Sequence, residues 1–134
     1  MLASVKPNLH AAASILLVED DPLVADMLLL LLEEAGFLAT WSASADEAMS
    51  LLTNDLPHAL VTDIHLGKGQ PPGWEVAKQA RQQDPDLPVV FLTGDSGHQW
   101  HLEGVPNSEI FMKPFSNDRV IEALKKLLAE RQTE

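Results

Sequence analysis

The amino-acid sequence predicts one α/β domain with a doubly wound, five-stranded parallel sheet and helices on both faces. Three observations support this prediction. The chain has 134 residues, a length that suits a single domain. Its 46% hydrophobic and 22% charged residues give the balance of a globular protein. Short runs that are apolar throughout alternate with amphipathic segments, and strands of that kind lie buried on both faces in a parallel sheet.

The first two strand–helix units carry clear start and stop signals. The apolar run 15–18 ends at three consecutive acids, and Pro22 suits the first turn of the next helix, where its missing N–H costs nothing. Gly36 is a typical stop for that helix. Ser44, with Glu47 three residues later, predicts a capping box at the start of the second helix. The elements predicted here are strand 15–18, helix 23–35, a strand within 37–43 and helix 45–53.

Three further units follow with the same alternation. A Gly/Pro-rich stretch, GKGQPPG, separates the third strand from its helix. The segment from Ser96 to Ser108 has no clear helical pattern because two glycines and a proline interrupt it. The elements predicted here are strands 58–62, 88–92 and 109–112, helix 74–83, and a last helix from Ser116 or Asn117 to about residue 129.

Composition excludes several classes of function. Twenty acidic against nine basic residues give a net charge of −11, which repels phosphate backbones, so we expect no nucleic-acid partner. The absence of cysteine excludes disulfides and thiolate chemistry. The apolar stretch 27–32 is far shorter than the roughly 20 residues that cross a bilayer, and the start lacks a secretion signal. We expect a cytoplasmic protein without a membrane partner, with a flexible extension at 1–13, a domain at 14–130 and a tail at 131–134.

Polar side chains follow four of the predicted strands. In an open parallel sheet, ligands bind in the crevice beyond the carboxyl ends of the strands. Glu19 and Asp20 follow the first strand, Asp63 follows the third, Thr93 the fourth and Lys113 the fifth. Three neighbouring carboxylates need a counter-charge, and their oxygens suit Mg²⁺, which retains open positions for phosphoryl oxygens. Because an aspartate can accept a phosphoryl group, the residues predict magnesium-assisted phosphoryl chemistry at this edge.

Four motifs in this order resemble the receiver domain of bacterial two-component response regulators, within the superfamily of chemotaxis-regulator-like proteins. They are ILLVEDDP at 15–22, ALVTDIHL at 59–66, PVVFLTG at 88–94 and FMKPF at 111–115. Each motif alone is weakly specific, whereas the ordered set spans nearly the whole chain. The resemblance implies the flavodoxin-like strand order 2-1-3-4-5.

The resemblance also implies roles for individual residues. It implies that Asp63 is the phosphoacceptor, phosphorylated by a histidine kinase or a histidine phosphotransfer protein. It implies that Asp20, Asp63 and the main-chain carbonyl of His65 ligate Mg²⁺ directly, with Glu19 acting through a metal-bound water. The remaining implied roles are a switch hydroxyl at Thr93, its ion-pair partner at Lys113 and a cis peptide bond between Lys113 and Pro114.

Some positions depart from the pattern of the family. Many receivers carry an aromatic switch residue three positions before the lysine, and this chain has Ile110 there, with Phe111 expected on the other face of the strand. The loop 67–72 is about two residues longer than is common in the family and lies beside Asp63. We interpret Trp100 and Ile110 as a candidate partner surface.

The leading hypothesis is a stand-alone receiver domain that is not an enzyme. It would switch contacts with an unknown downstream protein in a phosphorelay, as a monomer or a phosphorylation-dependent dimer. Two alternatives stay open. Ile110 favours a phosphorylation-independent interaction domain on the same fold. A magnesium-dependent aspartyl-phosphate hydrolase would use a similar rim, but the DxDxT-like motif of such enzymes is absent because Ile64 and His65 follow Asp63.

Overall fold

Five parallel strands form one sheet, in the order β2-β1-β3-β4-β5, within the residues that the computed structural model describes, 13–94 and 107–132. The strand order and the parallel pairing confirm the predicted doubly wound fold. The strands are β1 (Ser14–Val18), β2 (Leu38–Ser42), β3 (Ala59–Asp63), β4 (Val89–Thr93) and β5 (Ser108–Met112), and the helices are α1 (Pro22–Glu34), α2 (Ala45–Asn54), α3 (Gly73–Gln83) and α4 (Asn117–Gln132).

The observed element boundaries differ from the predicted ones by one to three residues. Asp63 and Thr93 are the last residues of their strands rather than the first residues beyond them. Helix α4 extends to Gln132. Ala13, which the sequence assigns to the extension, is buried, and its carbonyl accepts a hydrogen bond from the Leu38 N–H at 2.9 Å. Ala13 therefore belongs to the sheet side of the described fold, because the first residue of β2 bonds to it. Trp100 and most of the segment without a helical pattern lie outside the described residues.

The sheet separates two apolar cores. One core fills the space between the sheet and the pair α1 and α4, and the other lies under α2 and α3. Alternate residues of β1 serve the two sides, since Ile15 and Leu17 face the first core and Leu16 and Val18 the second. Burial of both faces accounts for the uninterrupted apolar runs in the sequence.

One acidic and one hydroxyl side chain cap the first two helices, α1 and α2, at their N-termini. Asp21 caps α1, because its Oδ1 accepts a hydrogen bond from the Leu23 N–H at 3.0 Å. Ser44 caps α2 by accepting from the Glu47 N–H at 3.1 Å, while the Glu47 carboxylate turns back to accept from the Ala43 N–H at 3.1 Å. The second arrangement is a capping box shifted by one residue at its return bond.

The opposite end of the molecule is tied together by Arg81, at the end of α3. Its guanidinium donates to the carbonyls of Leu87 at 2.6 Å, Pro85 at 2.9 Å and Asn107 at 3.4 Å. This arginine strap joins the α3–β4 connection to the residue that precedes β5. Burial of the guanidinium lowers the pKa of Arg81 from its ordinary value.

The length and hydrophobicity of the helices show whether any of them could cross a membrane. Within 13–94 and 107–132, no helix is long and apolar enough to span a bilayer.

Candidate acidic site at the carboxyl edge of the sheet

Three carboxylates meet where β1 and β3 end. Oxygen atoms of Glu19, Asp20 and Asp63 lie within 4.8 Å of one another. The side chains of Glu19 and Asp63 are almost completely buried, whereas Asp20 is exposed. The sequence predicted this convergence from the positions of the three residues after neighbouring strands. One open side and a set of hard oxygen ligands are the properties of a Mg²⁺ site that keeps coordination positions for water or a ligand.

Lys113 supplies the counter-charge from the other side of the site. Its Nζ lies 3.0 Å from Asp63 Oδ2 and 3.4 Å from Glu19 Oε1. The side chain is 30% exposed, so the ammonium is partly hydrated. The main chain holds it as well, because the Lys113 N–H donates to the Thr93 carbonyl at 2.7 Å. The peptide bond between Lys113 and Pro114 is cis, as expected.

The buried pair of acids changes the proton affinity of the site. Burial raises the pKa of Glu19 from 4.5 to about 7, and the neighbouring charge of Asp63 adds to the rise. Lys113 opposes it. The pKa of Lys113 itself is raised, because burial lowers it less than the hydrogen bond and charge of Asp63 and the charge of Glu19 raise it. One lysine thus only partly compensates two buried carboxyl groups, which leaves the site able to attract a further cation.

Strand β2 holds both backbone groups of Glu19. The Glu19 N–H donates to the Ser42 carbonyl at 3.1 Å, and the Glu19 carbonyl accepts from the Trp41 indole Nε1 at 2.8 Å. The carboxylate is held as well, since Glu19 Oε2 accepts from the Asp21 N–H at 3.2 Å. Sequence reasoning missed Trp41. Its role depends on the pairing of β1 with β2, and no local motif connects residues 22 positions apart.

Gly73 permits a close approach of α3 to the phosphoacceptor candidate. A Cβ atom at this position would lie 2.9 Å from Thr62 Oγ1 and closer still to the main-chain oxygen of Asp63. The Gly73 N–H donates to the Ile64 carbonyl at 2.8 Å, which fixes the start of α3 against the end of β3. The sequence showed Gly73 only as one of several loop glycines, so this requirement was also missed.

The loop between β3 and α3 passes beside Asp20 of the acidic cluster. A Cβ added to Gly67 would be 3.8 Å from Asp20 Oδ2, which places this loop beside the exposed carboxylate. Gln70 attaches the loop to the start of α2, because its Oε1 accepts from the Asp46 N–H at 3.3 Å and its Nε2 donates to Asp46 Oδ2 at 3.4 Å. His65 lies within the same loop with an exposed side chain.

The remaining predicted site residues occupy β4 and β5. Thr93 is buried at the end of β4. This strand lies between β3, which ends at Asp63, and β5, which directly precedes Lys113. Ile110 packs against the core under α2 and α3, while Phe111 packs against the core under α1 and α4. The expectation that the two side chains lie on opposite faces is confirmed. Ile110 is half-buried, so part of it remains accessible at the edge of the sheet.

Fold and geometry together define a doubly wound α/β protein with an acidic site at the switch point of its sheet. The family model of the response regulator receiver domain matches residues 15–125. The chain belongs to this family, whose members are the receiver domains of two-component systems.

Individual relatives agree with the family match. The crystal structure of a response regulator receiver protein from Sinorhizobium medicae superposes with a TM-score of 0.86 at 36% identity, covering 90% of this chain and 97% of that one. The transcriptional regulatory protein QseB of Haemophilus influenzae is 32% identical, over 87% of this chain and 53% of its own. DctD of Rhizobium meliloti, a C4-dicarboxylate transport transcriptional regulator, is 27% identical over 92% of this chain and 27% of its own. The chain thus spans about a quarter to a half of these two regulators.

Proposed function

We propose that this protein is a phosphoacceptor domain in which Asp63 receives a phosphoryl group from a phosphohistidine of a kinase or phosphotransfer protein. The observation that carries the proposal is the approach of Glu19, Asp20 and Asp63 to one another with Lys113 3.0 Å from Asp63. Membership of the receiver family supports it. The single exposed member of the acidic cluster, Asp20, marks the side from which a donor reaches the buried Asp63.

The carboxylates fit a resident Mg²⁺ ion. Asp20 and Asp63 would hold it directly together with the main-chain carbonyl of His65, and Glu19 would hold it through a water. The chemistry of the donor set supports this assignment, because all the ligands are oxygens and one side of the cluster faces solvent. The ion would supply positive charge that neutralises phosphoryl oxygens near the carboxylates.

In the transfer itself, a carboxylate oxygen of Asp63 attacks the phosphorus. A new P–O bond forms, the P–N bond of the phosphohistidine breaks, and its electron pair stays with the imidazole, which takes up one proton as it leaves. Lys113 is placed to bind a phosphoryl oxygen, since its Nζ already lies 3.0 Å from Asp63 Oδ2. The Thr93 hydroxyl at the end of the neighbouring strand would bind another. Positioning and charge neutralisation are the main demands of such a transfer.

The functional consequence is a change of charge. Phosphorylation converts one carboxylate into a group with a charge of about −1.5 to −2 at neutral pH. The electrostatic attraction between Lys113 and position 63 then becomes stronger. The edge strand β5, which directly precedes Lys113, is the element that moves in response. The output of the domain is therefore a change in contacts with a downstream protein rather than catalysis of a metabolic reaction.

Intact mass spectrometry after incubation with acetyl phosphate tests this proposal. We expect one phosphoryl group per chain with Mg²⁺, none with EDTA, and none in Asp63→Asn. The matched control is Asp26→Asn, which makes the same change at an exposed aspartate of α1 and should be phosphorylated like the wild type.

Two other outcomes would each overturn the proposal. Release of phosphate from the donor without a lasting adduct would indicate a magnesium-dependent hydrolase. Neither adduct nor turnover, from a folded protein, would indicate an interaction domain that works without phosphorylation.

A further inference from the structure

Trp41 contacts the acidic site through the main chain, and nothing in the phosphoryl chemistry described above uses it. The side chain comes from β2, is half-buried, and packs its ring against the core under α1 and α4. Its indole Nε1 donates to the main-chain oxygen of Glu19 at 2.8 Å.

The bonded carbonyl belongs to the peptide that links Glu19 to Asp20. The ladder between β1 and β2 ends at the pair Val18 and Ser42, so this peptide lies beyond the regular pairing of the strands. A peptide is a rigid plane, and fixing its oxygen fixes the direction in which the chain enters the next residue. Two of the three clustered carboxylates flank this one plane.

The two carboxylates differ in how firmly they are otherwise held. Glu19 is buried, and its carboxylate accepts from the Asp21 N–H and contacts Lys113. Asp20 is exposed and is the second residue after the end of β1. The orientation of Asp20 therefore depends more strongly on the direction of the peptide that precedes it.

We propose that Trp41 is a positioning residue for the metal site: its indole N–H holds the Glu19–Asp20 peptide and thereby directs the Asp20 carboxylate into the acidic cluster. This inference rests on the proposed function, because it concerns the affinity of the same site for Mg²⁺. Groups that orient metal ligands without touching the metal commonly change its affinity by 10- to 100-fold when they are removed.

The test is a calorimetric titration of the full chain with Mg²⁺, at a temperature at which circular dichroism shows every variant folded. Trp41→Phe keeps an aromatic ring in the core and removes the N–H, and we expect about tenfold weaker Mg²⁺ binding. The matched control is Trp74→Phe, the same change in the core under α2 and α3. Its Mg²⁺ affinity should stay within about twofold of the wild type, because Trp74 belongs to the core on the other face of the sheet and its indole does not hold the Glu19–Asp20 peptide.

A second measurement does not require a variant that folds well. In a ¹H–¹⁵N spectrum of the wild type, the indole resonance of Trp41 should shift as Mg²⁺ is added, and by more than that of Trp74. Where Trp41→Phe does not fold, its resonance is identified by elimination, from the Trp74→Phe and Trp100→Phe variants.

The outcomes separate this inference from the proposed function. If the wild type binds Mg²⁺ and Trp41→Phe binds it equally well, the positioning role is wrong and the proposed function stands. An indole resonance of Trp41 that ignores Mg²⁺ has the same meaning. If the wild type binds no Mg²⁺, both the proposed function and the positioning role are overturned.

Discussion

Strands β3 and β5 both end at the acidic site, but they deliver their functional residues from very different surroundings. Every residue of β3 is buried, and the strand is paired on both sides, with β1 and with β4. Among the strands that the structure describes, β5 is paired with β4 alone; it is half-buried along its length, with Met112 exposed. The candidate phosphoacceptor Asp63 ends the first strand, and Lys113 follows the second.

The acidic site therefore combines a rigid part with an adaptable part. Asp63 is buried at the end of a strand that is paired on both sides, which restricts its orientation. Lys113 lies at an edge with part of its side chain in water, so it has room to follow a change of charge on Asp63. Under the proposed function, the site would hold its phosphoacceptor in place while the counter-ion moves.

We expect the largest difference in stability when one apolar side chain of each strand is truncated to alanine. Leu60 of β3 is fully buried, and Leu60→Ala should lower the free energy of unfolding by about 3 kcal/mol, because a cavity is left in a packed core. Ile110→Ala on half-buried β5 should cost about 1 kcal/mol. Urea denaturation of both variants measures the difference. Equal losses would contradict the contrast between the two strands.

A somewhat smaller effect is expected where α3 meets the end of β3. Gly73→Ala forces a methyl group against Thr62 Oγ1 and the Asp63 main chain, and should cost about 2 kcal/mol by overpacking. It should also weaken phosphorylation by acetyl phosphate, because Asp63 itself is displaced. Gly94→Ala is the matched control, since a Cβ there meets no atom of the described residues within 4 Å. A Gly73→Ala protein as stable as Gly94→Ala would show that this approach is loose.

The burial of Glu19 should also make the free energy of unfolding depend on pH. Glu19 has a pKa of about 7 in the folded protein and an ordinary value of 4.5 when unfolded, so between these values only the folded state keeps the proton. Its contribution to stability is therefore complete below about pH 4.5 and is lost as the pH rises to about 7.

Denaturation in EDTA at several pH values measures this loss, and Glu19→Gln should reduce the decline between pH 4.5 and 7. A decline of the same size in the variant would assign the effect to other groups.

The smallest effect belongs to the exposed end of β5. Met112 is 56% exposed, and Met112→Ala should change the free energy of unfolding by less than about 0.5 kcal/mol. Phosphorylation of Asp63 should also proceed as in the wild type. A loss above about 1 kcal/mol would mean that this end of the strand is packed more tightly than its exposure indicates.

Sequence reasoning predicted the parts of the fold that are written in local patterns. The apolar runs gave the five described strands within a few residues, and Ser44 with Glu47 identified the start of α2. The convergence of the acids could also be predicted, because parallel strands bring their carboxyl ends to one edge. Asp63 and Thr93 were placed just beyond their strands, since a polar residue at a strand end looks like the start of a loop.

The features that were missed depend on three-dimensional distances between remote residues. Trp41 reaches Glu19 only because β1 and β2 pair in one particular register. The need for glycine at position 73 arises from the approach of a helix to the Asp63 main chain, which a Gly/Pro-rich loop does not reveal. The raised pKa of Glu19 results from burial, and a run of three acids in sequence suggests a solvated turn instead.

The arginine strap at the far end of the molecule has a consequence for how the chain tolerates mutation. Its acceptors at Pro85, Leu87 and Asn107 are all main-chain carbonyls, which every amino acid supplies. A substitution at the exposed position 85 leaves its acceptor in place, whereas any change at position 81 removes the planar fork that reaches three carbonyls at once. In a library of all single substitutions, position 85 should therefore accept most residues, whereas even lysine should be poorly tolerated at position 81.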